Sequence, residues 1–150
     1  MSETLTKINM SAINVQSLEK RKDIEILSIE KNLEIGYNTA HHYIHCNWIG
    51  FQNKDSIMKS GEKILELLTK KKCNKVLNDN TRVTGPWQEA AEWTASNWFP
   101  RMEAAGLKHF SWIFSPNIFA ELSAIKATPK TGVVSSFSDY DEAEKWLIKQ

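Results

Sequence analysis

Cysteine is scarce in this chain of 150 residues: it occurs only as Cys46 and Cys73, and not in a C-x-x-C spacing. That excludes a disulfide-built scaffold and the common thiol metal or redox motifs, and leaves room for a single bridge. Charge of one sign is lacking too. The 19 Lys and Arg stand against 18 Asp and Glu, a formal net charge of +1. No general pull toward nucleic acid or an anionic membrane follows from that balance, so no nucleic-acid partner is expected. No stretch approaches the roughly 20 apolar residues of a transmembrane segment. The opening MSETLTKINMSAINVQ has no apolar run followed by a cleavage site, so the expected location is the cytoplasm. Internal repeats and low-complexity linkers are missing. So are the G-x-S-x-G elbow, the H-E-x-x-H pair and the phosphate loop. No catalytic residue, metal site or cofactor is expected.

What is there describes a globular chain. Hydrophobic residues make up 41% and charged residues 25%, ordinary values for a packed domain. The length suits one domain, placed at residues 23–150. Residues 1–22 are polar and weakly patterned. They read as an arm, or as an edge strand through Ile8, Met10, Ile13 and Val15. Lys70, Lys71 and Lys72 form a basic run where a helix should end, which suits the helix dipole.

From Asp23 the pattern sharpens. Ile24, Ile26, Leu27 and Ile29 suggest a strand, Leu33, Ile35 and Tyr37 alternate as in a second, and Tyr43 to Ile49 make a third. These segments predict an antiparallel hairpin or meander. Asn53 is placed to cap a helix, in which Ile57, Gly61, Ile64, Leu65 and Leu68 fall on one stripe. A strand at Lys75–Asp79 follows, then a loop from Asn80 to Gly85. Pro86 is expected to start the next helix behind a Gly85 cap. On that helix Trp87, Ala91, Ala95, Trp98, Met102 and Ala105 share a face, and Pro100 should kink it near Phe99. Phe110, Trp112 and Phe114 mark a strand covered on both sides. A helix from Pro116 to about Lys126 should turn Ile118, Leu122 and Ile125 inward. Val133, Val134 and Phe137 mark the last strand. Ser138 or Asp139 then caps a final helix whose inner face is Ala143, Trp146 and Leu147. Helix and strand alternate, so the predicted class is α/β. The sheet has about five to six strands and is mixed, an antiparallel hairpin leading into βαβαβα crossovers.

Histidines and tryptophans carry the remaining signals. His41, His42 and His45 invite a metal reading, but on a strand His42 opposes the other two. His41 and His45 would stand about 13 Å apart at roughly 3.3 Å per residue, too far to share one zinc without a bend. Trp48, Trp87, Trp98, Trp112 and Trp146 fall on predicted inner faces. Trp93 lies about 120° from its helix's inner stripe, with Phe99 flanking the other side. Exposed aromatics there would mark a partner surface, a homodimer contact or an apolar ligand groove.

Three segments carry a family likeness: KVLNDNTRVTGPWQEA, AGLKHFSWIFSP and FSDYDEAEKWL. With the order of elements across residues 24–150, they resemble the SpoIIAA-like fold shared by STAS domains and CRAL-TRIO lipid carriers. The nearest likeness is to small bacterial STAS-like proteins of unassigned function. In STAS regulators the loop after the central strand carries an aspartate, and a serine–glycine pair, the serine phosphorylated by a partner kinase, opens the next helix. The resemblance implies that Asp79 takes the first place and Thr84, before Gly85, the phosphoacceptor place. Here threonine replaces serine, and Pro86 and Trp87 follow the glycine.

The candidate ligand- or partner-binding residues are therefore Asp79, Asn80, Thr84, Gly85, Trp87 and Trp93. They are expected at the carboxyl end of a parallel strand, where open α/β sheets bind ligands. Three functional expectations follow. The first is a non-enzymatic regulatory or protein-interaction module of STAS type. The second is a carrier or sensor of a small apolar, lipid-like ligand, which requires a cavity. The third is an enzyme using Asp79 as acid or base, for which the sequence places no second catalytic group.

Overall fold

The computed structural model describes residues 21–150. The expected N-terminal arm, apart from Arg21 and Lys22, lies outside the described residues. Three short strands come first: β1 (Ile24–Ile29), β2 (Leu33–Asn38) and β3 (Tyr43–Gly50). Each pairs antiparallel with the next. The first turn is tight, because Glu30 and Leu33 exchange both backbone hydrogen bonds. In the second, the Asn38 side chain accepts the N–H groups of Ala40 and His41, as an Asx turn should. His41 and His42 stand exposed in this turn and only His45 is on a strand, buried.

Helix α1 (Lys54–Lys71) starts at Asn53, whose side chain accepts from Ser56 N–H while Ser56 reaches back to the cap. It buries Ile57, Gly61, Ile64, Leu67 and Leu68. Leu65, expected on that stripe, is only partly buried. The chain continues through β4 (Lys75–Val83), α2 (Gln88–Trp93), a π-helical turn (Thr94–Trp98) and α3 (Phe99–Ala104). It closes with β5 (His109–Ile113), α4 (Ile118–Ala127), β6 (Val134–Phe137) and α5 (Tyr140–Ile148).

The fold is α/β, around one six-stranded mixed sheet in the order β1-β2-β3-β4-β5-β6. Strands β3 to β6 are parallel, and Lys75–Asp79 and His109–Ile113 are direct neighbours. Each crossover advances one strand in the same direction. With right-handed connections that rule puts every crossover helix on one face. The packing agrees. Ile64 of α1, Ala90 of α2, Met102 of α3 and Ala124 of α4 share one apolar cluster with Val76 and Phe110. Among the described residues only α5 covers the second face, where Ala143 and Leu147 meet Tyr43, Leu77 and Ile113. No helix among the described residues is long and apolar enough to cross a membrane.

Three local expectations need correction. Strand β4 runs through Val83, so Asn80, Thr81, Arg82 and Val83 lie on a strand and not in a loop. The next helix begins at Gln88 with Trp87 as its cap position; neither Gly85 nor Pro86 fills that role. Helix α4 is turned the other way from its predicted orientation. It buries Ala120, Ser123, Ala124 and Ala127, while Ile118, Phe119, Leu122 and Ile125 are about half exposed or more, at 61%, 58%, 47% and 53%. The small face wins because α4 lies close against the start of α2, where Ser123 Oγ accepts the Trp87 N–H at 2.9 Å. Large side chains on that face would hold the two elements apart.

Candidate functional site

Five of the chain's six tryptophans line one cavity between the sheet and helices α1 and α2. Strand alternation sets its floor. Trp48 of β3, Asn78, Asn80 and Val83 of β4, and Phe110 and Trp112 of β5 all point to the crossover-helix face. The roof is Ile57 and Gly61 of α1 with Trp93, Thr94 and Trp98, and Trp87 and Gln52 close the sides. Its volume is about 40 Å³, and it opens to the surface.

Two backbone irregularities shape this space. In the floor, Asn47 pairs with Asp79 but Ile49 pairs with Arg82. Strand β4 therefore holds one extra residue, a β-bulge, which bends the strand and re-aims side chains. The bulge is held by Asp79, whose Oδ1 accepts both the N–H of Thr81 at 2.9 Å and its hydroxyl. In the roof, the N–H of Phe99 reaches back to Thr94 O, the i→i+5 bond of a π-turn. Pro100, with no N–H to give, follows immediately. The wide turn places Thr94 and Trp98 over the cavity while Phe99 and Met102 stay in the core.

The polar groups form a one-way relay. Trp48 Nε1 donates to Asn78 Oδ1 at 2.8 Å, and Asn78 Nδ2 donates to Asn80 Oδ1 at 3.2 Å. Trp98 Nε1 donates to the Gly61 carbonyl at 2.7 Å. Thr94 gives its hydroxyl hydrogen to the Ala90 carbonyl, and the Gln52 amide is bonded to Asn32 O and Ile49 O. Trp87 and Trp112 stack at 6.2 Å between ring centroids. Both of their indole N–H groups are buried without a partner among the described residues. Trp93 is half buried, pressed against α1, with the Arg101 guanidinium 5.9 Å from its ring centroid. Arg101 also pairs with Glu62, tying α3 to α1 over this tryptophan and holding the Glu62 carboxyl below its ordinary pKa.

The expected site residues divide. Asn80, Trp87 and Trp93 come together in the cavity wall. Asp79 points to the opposite face of the sheet, fully buried. There its Oδ2 has no hydrogen-bond partner among the described residues, and burial raises its pKa. On the same face His45 lies with its ring 5.7 Å from that of Tyr140, neither nitrogen bonded. Burial, then the Arg21 charge, lowers its pKa to about 3. Thr84 is exposed beyond the strand end, and Gly85 (φ +106) lies beside Phe51. Trp48, Trp98, Trp112 and Asn78 belong to the cavity, although patterning assigned those tryptophans to plain core. The only signal that could have singled them out was their number, since inward-facing aromatics from several elements must meet.

A second, wider groove of about 510 Å³ lies between β1–β2 and α1. Its charged rim is self-complementary, with Lys59 and Lys63 among Glu30, Glu62 and Glu66. No family model, curated protein or solved structure matches the chain.

Proposed function

We propose that this domain binds a small, mainly apolar molecule in the tryptophan-walled cavity, as a sensor or carrier and not as an enzyme. The convergence of five tryptophans on one space, with two buried indole N–H groups left unpaired, carries the reading. Ligand sites are concave, apolar and furnished with a few aimed polar groups, and bulges and π-turns concentrate at such sites. Among the described residues the lining holds no carboxylate, imidazole, amine or thiol. It therefore offers shape and hydrogen bonds but no group for proton transfer. A volume of about 40 Å³ is well below the roughly 150 Å³ of a dry cavity that takes benzene. The ligand is then a compact molecule that extends into the cavity mouth beside Trp93, not an acyl chain. Titration of tryptophan fluorescence with a panel of small neutral organic compounds tests this. Saturable quenching, abolished in a folded Val83→Phe variant that fills the cavity, is expected. A panel without saturable binding refutes the reading.

A SpoIIAA-like membership and a regulatory role of STAS type form a second proposal. It is supported by the order of elements and by the exposure of Thr84. Its test is mass spectrometry of the protein purified from its own cells. Phosphate on Thr84 supports the switch, and its absence under all growth conditions removes it.

A further inference from the structure

We infer that the ligand of this cavity is a neutral molecule presenting a carbonyl-type oxygen to the indole N–H groups of Trp87 and Trp112. The inference rests on the binding reading and adds the chemical class.

The relay in the wall has a direction. Each acceptor on it already receives a hydrogen: Asn78 Oδ1 from Trp48, and Asn80 Oδ1 from Asn78. Among the described residues, the donors of the wall left buried without an acceptor are the indoles of Trp87 and Trp112. Asn80, which ends the relay, lines the same cavity. A buried donor without a partner is costly, and an incoming acceptor recovers that cost. A hydrocarbon would leave the donors unpaired.

Charge narrows the class further. Aromatic boxes commonly take quaternary or primary ammonium ions through cation–π contacts. An ammonium brings only donors or methyl groups to a wall whose unpaired buried atoms are the two indole donors, and no carboxylate of the described residues lines the space to balance it. A carboxylate ligand would accept the N–H groups but would bury a full charge with no cation in the wall. A ketone, lactone or amide oxygen on an apolar body meets both conditions. Planar rings suit the stacked pair of Trp87 and Trp112.

Three probes of nearly one shape decide the matter: cyclohexanone, methylenecyclohexane and cyclohexylammonium. Each is titrated into intact protein labelled with ¹⁵N at tryptophan, and the indole N–H resonances are followed. Trp87→Phe and Trp112→Phe assign two of them. If those variants fail to fold, Asn80→Asp and the wild-type titrations still supply the comparison. Cyclohexanone is expected to shift both assigned resonances downfield and saturably. Methylenecyclohexane should bind at least about tenfold more weakly and leave them in place, and cyclohexylammonium should not bind. Equal binding of the ketone and the hydrocarbon would overturn the acceptor inference while leaving the cavity a binding site. Tighter binding of the ammonium would overturn it in favour of cation recognition. If none binds, the indoles are served by buried water only, and both the inference and the binding reading fall.

Discussion

Gly61 offers the sharpest test of the cavity's roof. In the middle of a helix, glycine is about 1 kcal/mol less favourable than alanine. An exposed Gly→Ala change in α1 would therefore stabilise the protein. Here a Cβ on residue 61 would stand 3.0 Å from Trp93 Cη2, 3.0 Å from Trp98 Nε1 and 3.2 Å from Trp98 Cδ1. Trp98 cannot swing aside freely, because that same Nε1 donates to the Gly61 carbonyl at 2.7 Å. Overpacking of a tight site costs about 1–3 kcal/mol, and weakening the buried hydrogen bond about 0.5–1.5 kcal/mol more. Set against the helix gain of about 1 kcal/mol, Gly61→Ala should destabilise by about 2 kcal/mol. For a domain of this size that lowers the melting temperature by roughly 4–8 °C. Urea unfolding should show a lower midpoint at unchanged slope. In a Trp98→Phe background the same substitution should cost much less, because the two sites are coupled through contact. A stabilising or neutral Gly61→Ala would refute the packing of Trp93 and Trp98 on this turn, and with it the roof of the cavity.

Other outcomes follow from burial and charge. Leu122→Gln should change stability by less than about 0.5 kcal/mol because Leu122 faces solvent. Ala124→Leu, on the covered face, should cost about 1–3 kcal/mol; chemical denaturation of both variants checks the orientation of α4. Between its ordinary pKa of 6.5 and its folded value of about 3, His45 binds more protons unfolded than folded. Its contribution is full above pH 6.5 and is lost as pH falls, by up to about 1.4 kcal/mol per pH unit. A pH series of unfolding midpoints for wild type and His45→Phe should show the variant with the flatter acid limb. Asp79 has the opposite sign: its raised pKa means that ionisation above the folded value costs stability. Asp79→Asn, which keeps the Oδ1 acceptor and drops the charge, should be neutral or stabilising at pH 7. Asp79→Ala should cost about 2 kcal/mol by stranding the Thr81 donors. Equal losses in thermal unfolding of the two Asp79 variants would contradict the bulge-holding role.

Much of the architecture was legible before any coordinates. Strand alternation from Leu33 to Tyr37, the Asn53 cap, and the Asp139 cap that accepts from Glu142 N–H are local signals, and each lies where the chain predicted it. The candidate site was read only in part. Asn80, Trp87 and Trp93 meet in the cavity wall, but Asp79 was separated from them by strand parity, since β4 continues past it and alternate residues face opposite sides. Trp93 looked misplaced because its stripe was drawn toward the sheet, whereas it packs sideways on α1 at Gly61.

By itself, then, the chain determined its class, its element order and its mixed sheet, because periodicity and capping are written within a few neighbouring residues. Tertiary structure alone decided which apolar face of α4 is hidden. It also decided where the bulge and π-turn fall and which tryptophans share a cavity. Those outcomes depend on contacts between segments tens of residues apart, where close approach at Gly61 and Ser123 outweighs the preference of any single helix for burying its largest side chains.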